Sequence, residues 1–310
     1  IDDGGYTMSN ITNCLVSNSM YRGIYVDKAN HTNYTNYQTA YFANIQVLGT
    51  GGQEAKTANI GYAAIDINAT GAYFENTLVE NSTTVGVRLY LVDYTTTFKN
   101  LTIRNSGDPG QGAHEAGLAI SSSFFAPLFD TLEITGSVGP GIHASSGGSM
   151  TGSDWILENN SGDGLFIDSS TIYTFGIDTA YNGQSGVHVY DSRYVVLGDV
   201  NSSFDGQLGL TNSEKAGIYF EKSNDIESNS GDVMCAGCYV YNSSGSGVLV
   251  ENSVDLYLSQ MFIYDASPEY PALSIDNSGL NLAQQGGTVH ISVARIISDR
   301  TGANSGPGIE

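Results

Sequence analysis

The chain has 310 residues and carries 11 Lys and Arg against 32 Asp and Glu, which gives a formal net charge of −21. A protein that binds nucleic acid or an anionic membrane surface needs a basic patch, so this balance argues against both partners. No apolar run approaches the roughly 20 residues that cross a bilayer, and we therefore expect no membrane insertion in this segment.

One short pattern recurs along the chain, and its first clear copy is Gly23-Ile24-Tyr25-Val26-Asp27. A small residue leads, apolar residues alternate with other residues, and a polar residue usually closes the pattern. This alternation predicts a half-buried β-strand. The copies fall at residues 23–27, 64–68, 86–90, 117–121, 141–145, 164–168, 186–190, 217–221, 247–251 and 272–276. A strand that returns every roughly 20 to 50 residues is typical of a solenoid.

A second pattern lies between the copies of the first. It is clearest at residues 13–19, 76–82, 100–107 and 237–243, where apolar residues alternate and an Asn then turns the chain. Asn and Gly tolerate left-handed backbone better than most residues do. Each coil is therefore predicted to hold at least two short strands and a tight Asn, Ser or Gly corner.

Together the two patterns resemble the right-handed parallel β-helix repeat of the pectate-lyase-like superfamily, from about residue 10 to residue 310. The resemblance implies an all-β solenoid of about ten to eleven coils. We expect one domain over residues 1–310. Polar loop excursions are predicted at residues 28–43, 50–60, 107–116, 204–216, 223–232 and 276–288.

The two ends of the chain read as the two halves of one strand copy. Ile1, Asp2 and Asp3 match the second half, and Gly308, Ile309 and Glu310 match the first half. We therefore expect an excerpt or repeating unit of a longer solenoid, or chains that meet head to tail. Open coil ends expose unpaired strand edges, which favour such association.

The residue after each lead small residue should face the interior, because side chains alternate along a strand. We predict one stacked, buried column of Ile24, Ile65, Val87, Leu118, Ile142, Leu165, Val187, Ile218, Val248 and Leu273. Beside it, Asp66 and Arg88 occupy the same outward position on adjacent coils. For this pair we favour a cross-strand ion pair over a binding site.

Three cysteines leave one thiol unpaired under any pairing. Cys235 and Cys238 form a C-x-x-C pair without the further Cys or His that a metal site needs nearby. Cys14 and Cys238 occupy the same inward position of the second pattern, many coils apart. We expect all three to be small buried core residues, with a Cys235–Cys238 bridge as the alternative.

The outward residues of the strand copies gather rings and carboxylates near the middle of the chain. Aromatic rings stack on sugar rings, and carboxylates accept hydrogen bonds from hydroxyls, so this surface is a candidate carbohydrate-binding groove. Its members are His143, Phe166, Asp168, His188, Tyr190, Tyr219 and Glu221. The competing interpretation is that they are ordinary solvent-facing strand residues.

No catalytic residue is assigned, but four of these side chains are candidates if the groove is an active site. Asp168 and Glu221 lie two coils apart, about 9–10 Å, near the ~6.5–9.5 Å of inverting glycosidases. A lyase needs a base, for which His188 and Tyr219 are the candidates. The many Asp and Asn residues leave calcium as a candidate cofactor, although no set of ligands can be named.

The chain contains nine N-x-S/T sequons, more than its composition would give by chance. This excess favours an extracellular glycoprotein. Asn corners followed by Ser also belong to the repeat, so the fold itself contributes sequons. The candidate glycosylation sites are Asn10, Asn30, Asn33, Asn68, Asn81, Asn100, Asn159, Asn201 and Asn242.

Two interpretations of function remain. The first is an extracellular or cell-surface β-solenoid with a structural or adhesive role, which forms filaments with itself and contacts polysaccharide or cell-surface glycan. The acidity, the sequons and the matching chain ends favour it. The alternative is a polysaccharide lyase or glycoside hydrolase that acts in the groove on the β-helix face.

Overall fold

The computed structural model divides the chain into two compact units, Ile1–Trp155 and Ile156–Glu310. The expectation of one domain stays a prediction. The structure describes residues 10–27, 40–51, 63–68, 71–92, 96–107, 116–123, 125–223, 233–264, 267, 269–276 and 289–297.

Short strands alternate with longer ones along the described chain, and the strands are numbered in chain order. The short strands are β2 (Ile24–Asp27), β4 (Ala63–Asn68), β6 (Val85–Tyr90), β8 (Leu118–Ser121), β10 (Ile142–Ser145), β12 (Leu165–Asp168), β14 (Val187–Tyr190), β16 (Ile218–Glu221), β18 (Val248–Glu251) and β20 (Leu273–Asp276). The longer strands are β1 (Asn10–Ser17), β3 (Ala40–Leu48), β5 (Ala72–Glu80), β7 (Thr97–Arg104), β9 (Leu128–Thr135), β11 (Ser149–Glu158), β13 (Thr171–Ala180), β15 (Val195–Ser203), β17 (Val233–Tyr241), β19 (Leu256–Tyr264) and β21 (Val289–Ile297). One helical turn, α1 (Asn212–Lys215), precedes β16.

In the first unit the short strands and the long strands form separate parallel stacks. The long strands pair in the order β1, β3, β5, β7, β9, and the short strands pair in the order β2, β4, β6, β8, β10. The register places Ile24 beside Ile65, Ile65 beside Val87, Val87 beside Leu118, and Leu118 beside Ile142. These five side chains are buried, as the alternation predicted.

The second unit repeats this arrangement with β13, β15, β17, β19 and β21 in one stack and β12, β14, β16, β18 and β20 in the other. Leu165, Val187, Ile218, Val248 and Leu273 lie in register and are buried. Parallel strands that return to two stacks in turn are the coils of a parallel β-helix. The predicted all-β fold and the predicted core column are therefore confirmed.

Matching core side chains stack on one another because parallel strands in register superimpose the same position of successive coils. In the first unit the Phe42 and Phe74 rings lie 4.4 Å apart, Phe74 and Phe98 4.7 Å apart, and Phe98 and Phe129 5.2 Å apart. All four rings are fully buried. The interior between the two stacks of strands is thus close-packed and apolar.

The predicted Asn corner follows the alternating residues, where Asn18, Asn81, Asn105 and Asn242 have positive φ. A second Asn corner, which the pattern did not predict, lies inside the long strands. Asn13, Asn44, Asn76 and Asn100 all have φ between 50° and 53° in the left-handed region. Their side-chain amides form a ladder, in which each Nδ2 donates to the Oδ1 of the preceding coil at 3.1, 3.1 and 2.9 Å. Each long strand therefore bends at this point and presents two outer faces, one before and one after the corner.

The sequons partly reflect this backbone. Asn81, Asn100, Asn159 and Asn242 all have positive φ, so the fold selects Asn at these positions independently of any glycan. Asn30 and Asn33 lie outside the described residues. Glycosylation of any of the nine stays a prediction.

The cysteines differ from the favoured expectation. Cys235 and Cys238 form a disulfide, so the alternative interpretation is the correct one. Both are buried, and Gly237 between them has φ +71°, because the bridge spans the corner of β17. Cys14 is a free, half-buried thiol rather than a core residue.

Several sequence-based predictions fall outside the described residues. The proposed assembly ends Ile1, Asp2, Asp3, Gly308, Ile309 and Glu310 all do so. Of the predicted excursions, residues 204–216 are described, and they contain α1 with a capping box between Thr211 and Glu214. Within the described part of the chain, no helix has the length and apolar character needed to span a membrane.

Candidate functional site

The candidate site is built on the outer face of the short strands of the second unit. Phe166 on β12, His188 on β14, Tyr219 on β16 and Leu249 on β18 lie side by side in register. They alternate with the buried core residues, so their side chains leave the coil on its outer face.

His188 is held between two aromatic rings. Its ring centroid lies 4.8 Å from that of Phe166 and 4.5 Å from that of Tyr219, with interplanar angles of 28° and 27°. The backbone register imposes this stack, because neighbouring coils place equivalent side chains about 4.8 Å apart. The imidazole plane is therefore fixed before any ligand arrives.

His188 also lies between two carboxylates. Its Nδ1 is 3.5 Å from Oδ2 of Asp163, and its Nε2 is 3.7 Å from Oε2 of Glu221. Burial lowers the pKa of His188, but Asp163 and Glu221 outweigh burial and raise it to about 9. The imidazole is therefore a cation at neutral pH. Its Nε2 is buried and has no hydrogen-bond partner among the described residues.

Glu221 is the more accessible of the two carboxylates. Its side chain is 26% exposed, against 7% for Asp163. The neighbouring imidazole of His188 lowers the pKa of Glu221 despite partial burial. Glu221 is thus an ionised carboxylate that faces solvent beside a fixed imidazolium.

Tyr219 does not form the stacking platform that the sequence suggested. The residue is only 4% exposed and belongs to one buried cluster with Ala216 and Leu249. Its hydroxyl donates a 2.6 Å hydrogen bond to Glu251. Burial and this bond raise the pKa of Tyr219, so the phenol stays neutral and is a poor base at neutral pH.

Tyr190 and Asp168 lie on the edge of the same surface. Asp168, Tyr190 and Glu221 are in register at the ends of β12, β14 and β16, which confirms the predicted two-coil spacing of the carboxylates. Lys222 donates a 3.2 Å hydrogen bond to the Tyr190 hydroxyl, and its Nζ lies 4.9 Å from the ring centroid. Asp168 accepts a 2.9 Å hydrogen bond from Ser169 Oγ.

Three other residues considered in the sequence belong to the first unit. His143 is half-buried on β10. The predicted pair of Asp66 and Arg88 is confirmed, with Nη2 to Oδ2 at 2.7 Å, and Arg22 Nε joins it at 2.6 Å. Asp66 is fully buried beneath the two arginines, as expected for a structural ion pair.

Sequence reasoning missed Asp163, Glu251 and Lys222 as neighbours of the site. Asp163 precedes the lead Gly164, and Lys222 follows the last residue of β16, so both lie just outside the alternating pattern. Glu251 closes the strand copy at residues 247–251, but nothing in the pattern paired it with Tyr219. A metal centre is not evident either, because no group of three His, Cys, Asp or Glu side chains suits a metal ion within the described ranges.

The arrangement combines a fixed proton donor with an ionised acceptor. His188 carries the proton and Glu221 can accept one, and their closest nitrogen and oxygen atoms are 3.7 Å apart. Asp163 sits behind the imidazole and stabilises its charge. Phe166 and Tyr190 flank the pair with half-buried rings. Such a pair suits proton transfer to and from a bound polar ligand.

Comparisons with known proteins bear on the fold. No protein-family model matches the chain, and neither does any curated protein. Among solved structures the chain is similar to the A-module of mannuronan C-5 epimerase AlgE4 from Azotobacter vinelandii, with a TM-score of 0.53 and 11% sequence identity. The match covers 97% of this chain and 79% of that chain. At this identity it shows the fold alone, and it confirms the parallel β-helix.

Proposed function

We propose that the protein acts on a polysaccharide, and that His188 and Glu221 are its acid–base pair. The observation that carries this proposal is the imidazole held as a cation between Asp163 and Glu221 on the outer face of β14. The similarity to the A-module of an enzyme named for its action on mannuronan supports a carbohydrate polymer as substrate.

The protonated imidazole of His188 and the ionised carboxylate of Glu221 suit the hydrolysis of a glycosidic bond. The Nε2 atom of His188 is buried and faces Glu221, so His188 gives its proton to Glu221, which passes it to the glycosidic oxygen as that bond breaks. A water molecule then attacks the anomeric carbon and gives a proton to Glu221, which returns it to His188. Asp163 holds the imidazole ring and Phe166 and Tyr190 border the sugar. Atoms balance, since one water is consumed and both protons are accounted for.

The lowered pKa of Glu221 is the reason to prefer hydrolysis over elimination. A carboxylate of low pKa can orient water, but it is a weak base for a carbon-bound proton. His188 is already protonated and Tyr219 is neutral, so neither serves as the lyase base at neutral pH. Epimerisation or elimination on a uronate remains the second candidate, and the reaction in the name of the similar structure favours it.

A screen with three readouts tests the proposal. The protein is incubated with mannuronan, other acidic polysaccharides and neutral polysaccharides. New reducing ends without an unsaturated chromophore would indicate hydrolysis. New ends with the chromophore would indicate elimination, and altered sugar configuration without new ends would indicate epimerisation. An unchanged polymer throughout the panel would contradict an enzymatic function.

The other interpretation, a cell-surface structural or adhesive solenoid, stays a prediction that rests on composition and on the chain ends. Location outside the cell and head-to-tail filaments belong to it. A protein that retains polysaccharide on a column without altering it would favour a role in glycan adhesion over the enzyme. Calcium dependence of that retention would be the first sign of a metal requirement.

A further inference from the structure

A cluster of surface aromatic residues lies on the long strands of the second unit, after the corner. Tyr239 on β17 stacks with Phe262 on β19 at 4.9 Å, and Tyr241 stacks with Tyr264 at 5.1 Å. Tyr239 is 48% exposed and Tyr241 is 40% exposed. A chain with a net charge of −21 thus presents an apolar face here. Exposed apolar patches of this kind mark interaction surfaces.

The orientation of the rings indicates what the face can bind. The interplanar angles of the two stacked pairs are 4° and 6°, so within each pair the ring faces cover each other. A sugar ring needs an open aromatic face for stacking. Because the stacked rings belong to neighbouring strands, each stack turns its ring edges and its tyrosine hydroxyls outward, and these groups pack and hydrogen-bond against protein surfaces. The geometry therefore favours a protein partner.

One row of residues runs across the middle of this face from strand to strand, and its charges identify the partner. Asp178, Asn201, Tyr239, Phe262 and Arg295 lie side by side in register across β13 to β21. Asp178 and Arg295 are both exposed, and they end the row two strands on either side of Tyr239. Each end is therefore roughly 10 Å from the centre at the usual strand spacing. The row runs from negative to positive around an aromatic middle.

We propose that this face binds a second copy of the chain about a two-fold axis that passes close to Tyr239. When the axis lies in the interface at right angles to the row, a rotation of 180° exchanges the two ends of the row. Asp178 of one copy then faces Arg295 of the other, and the reverse pair forms as well. Such a surface is self-complementary, which is the requirement of a two-fold interface.

The net charge supports self-association through this face in particular. Two copies that each carry −21 repel through most orientations. On β17 and β19 after the corner, the outward residues Tyr239, Tyr241, Phe262 and Tyr264 are uncharged. The equivalent face of the first unit instead carries Arg104 and Glu133, which pair with each other. A basic partner would bind acidic surfaces, so the uncharged face suits a copy of the same acidic chain.

A cysteine placed on the axis tests the geometry directly. In a Cys14→Ser background, Tyr239→Cys should form a covalent dimer under mild oxidation, because a residue near the axis meets its own counterpart. Tyr257→Cys, which is exposed on β19 before the corner, is the matched control and should stay monomeric. A folded Tyr239→Cys protein that does not cross-link faster than the control contradicts the proposal.

Charge exchange tests the complementarity by sedimentation equilibrium of the whole chain. Asp178→Arg and Arg295→Asp should each weaken the dimer at least tenfold, since each places like charges opposite one another. The double exchange should restore it. Glu133→Arg, on the first unit, should have no effect. A wild-type protein that stays monomeric at high concentration, or a double exchange that restores nothing, overturns the proposal. So would loss of polysaccharide binding in Tyr239→Glu, which would place a glycan on this face.

Discussion

The Nδ1 atom of His188 lies 3.5 Å from Oδ2 of Asp163, a carboxylate that the sequence pattern did not connect with it. This pair, with Glu221 on the other side, makes the imidazole a cation in the folded protein. The consequence is a pH-dependent contribution to stability that can be measured without any substrate.

The pKa of His188 rises from 6.5 to about 9 on folding. Its contribution to stability is complete below pH 6.5 and is lost as the pH rises towards 9, on the order of 3 kcal/mol. Urea unfolding across this range should show wild type losing stability relative to His188→Gln. Two curves that stay parallel from pH 6.5 to pH 9 would show that the imidazole is not held as a cation.

Asp205 is a second group whose pKa changes on folding, and it is an acid, whereas His188 is a base. It is fully buried and accepts hydrogen bonds from Asn182 N and Nδ2 at 2.9 Å and from Thr179 and Ser202 at 2.8 Å. Burial outweighs these bonds and raises the pKa of Asp205 to about 6. A raised carboxyl pKa means that stability is present at low pH and is lost as the pH rises from 3.8 through about 6.

At pH 8 the variant Asp205→Asn should therefore be more stable than wild type by on the order of 1–3 kcal/mol. At pH 4 it should be no more stable than wild type. Asn keeps the acceptor that serves Asn182, and the Ser and Thr hydroxyls can accept from the new amide. Asp205→Ala is the control, and it should be destabilised because it leaves buried donors unpaired. Equal stability of Asp205→Asn and wild type at pH 8 would contradict the titration.

Core packing around β12 gives the most direct test of the register. Leu165 is fully buried, so Leu165→Ala should cost about 2–5 kcal/mol in urea unfolding. Leu165→Asp should not fold, because it would bury an unpaired charge. Ser169→Asp, at an exposed position beyond the same strand, is the control and should fold normally. A folded, soluble Leu165→Asp protein would refute the assigned register.

The disulfide in β17 should contribute modest stability. Closing a loop of four residues removes little chain entropy, so the Cys235→Ala, Cys238→Ala double variant should lose about 2 kcal/mol. The bond is buried, and a small thiol reductant should act on it only as fast as the protein opens. Rapid reduction of the folded protein would show that the corner is more accessible than its burial indicates.

The sequence predicts the core better than the site, and the reason is physical. Strand alternation assigns a direction to every residue in a strand, so the columns around Leu165 and Val187 could be predicted one by one. Asp163 lies in the turn before β12, where no alternation applies, and its approach to His188 depends on the backbone path. The state of Cys235 and Cys238 depended in the same way on the left-handed Gly237 between them.

The sequence also could not predict which of the outward-facing strand residues are buried. Tyr219 and Leu249 are outward by position but buried, because further residues, among them Ala216, pack against them. The apolar Leu249 at an outward position is the one sign in the sequence that other residues pack over this strand. It indicates that a neighbouring segment lies over the strand, but not which segment. The imidazole charge, which depends on both Asp163 and Glu221, could not be derived without that geometry.

The central claim is that Glu221 and His188 perform acid–base chemistry on a polysaccharide. The most direct measurement is kcat/KM of wild type, Glu221→Gln and Glu133→Gln on a polysaccharide that the wild type converts, with products followed by NMR. We predict that Glu221→Gln loses about 10²–10⁴-fold while remaining folded, and that Glu133→Gln is unchanged. Equal rates for Glu221→Gln and wild type, or no conversion of any polysaccharide, would contradict the claim.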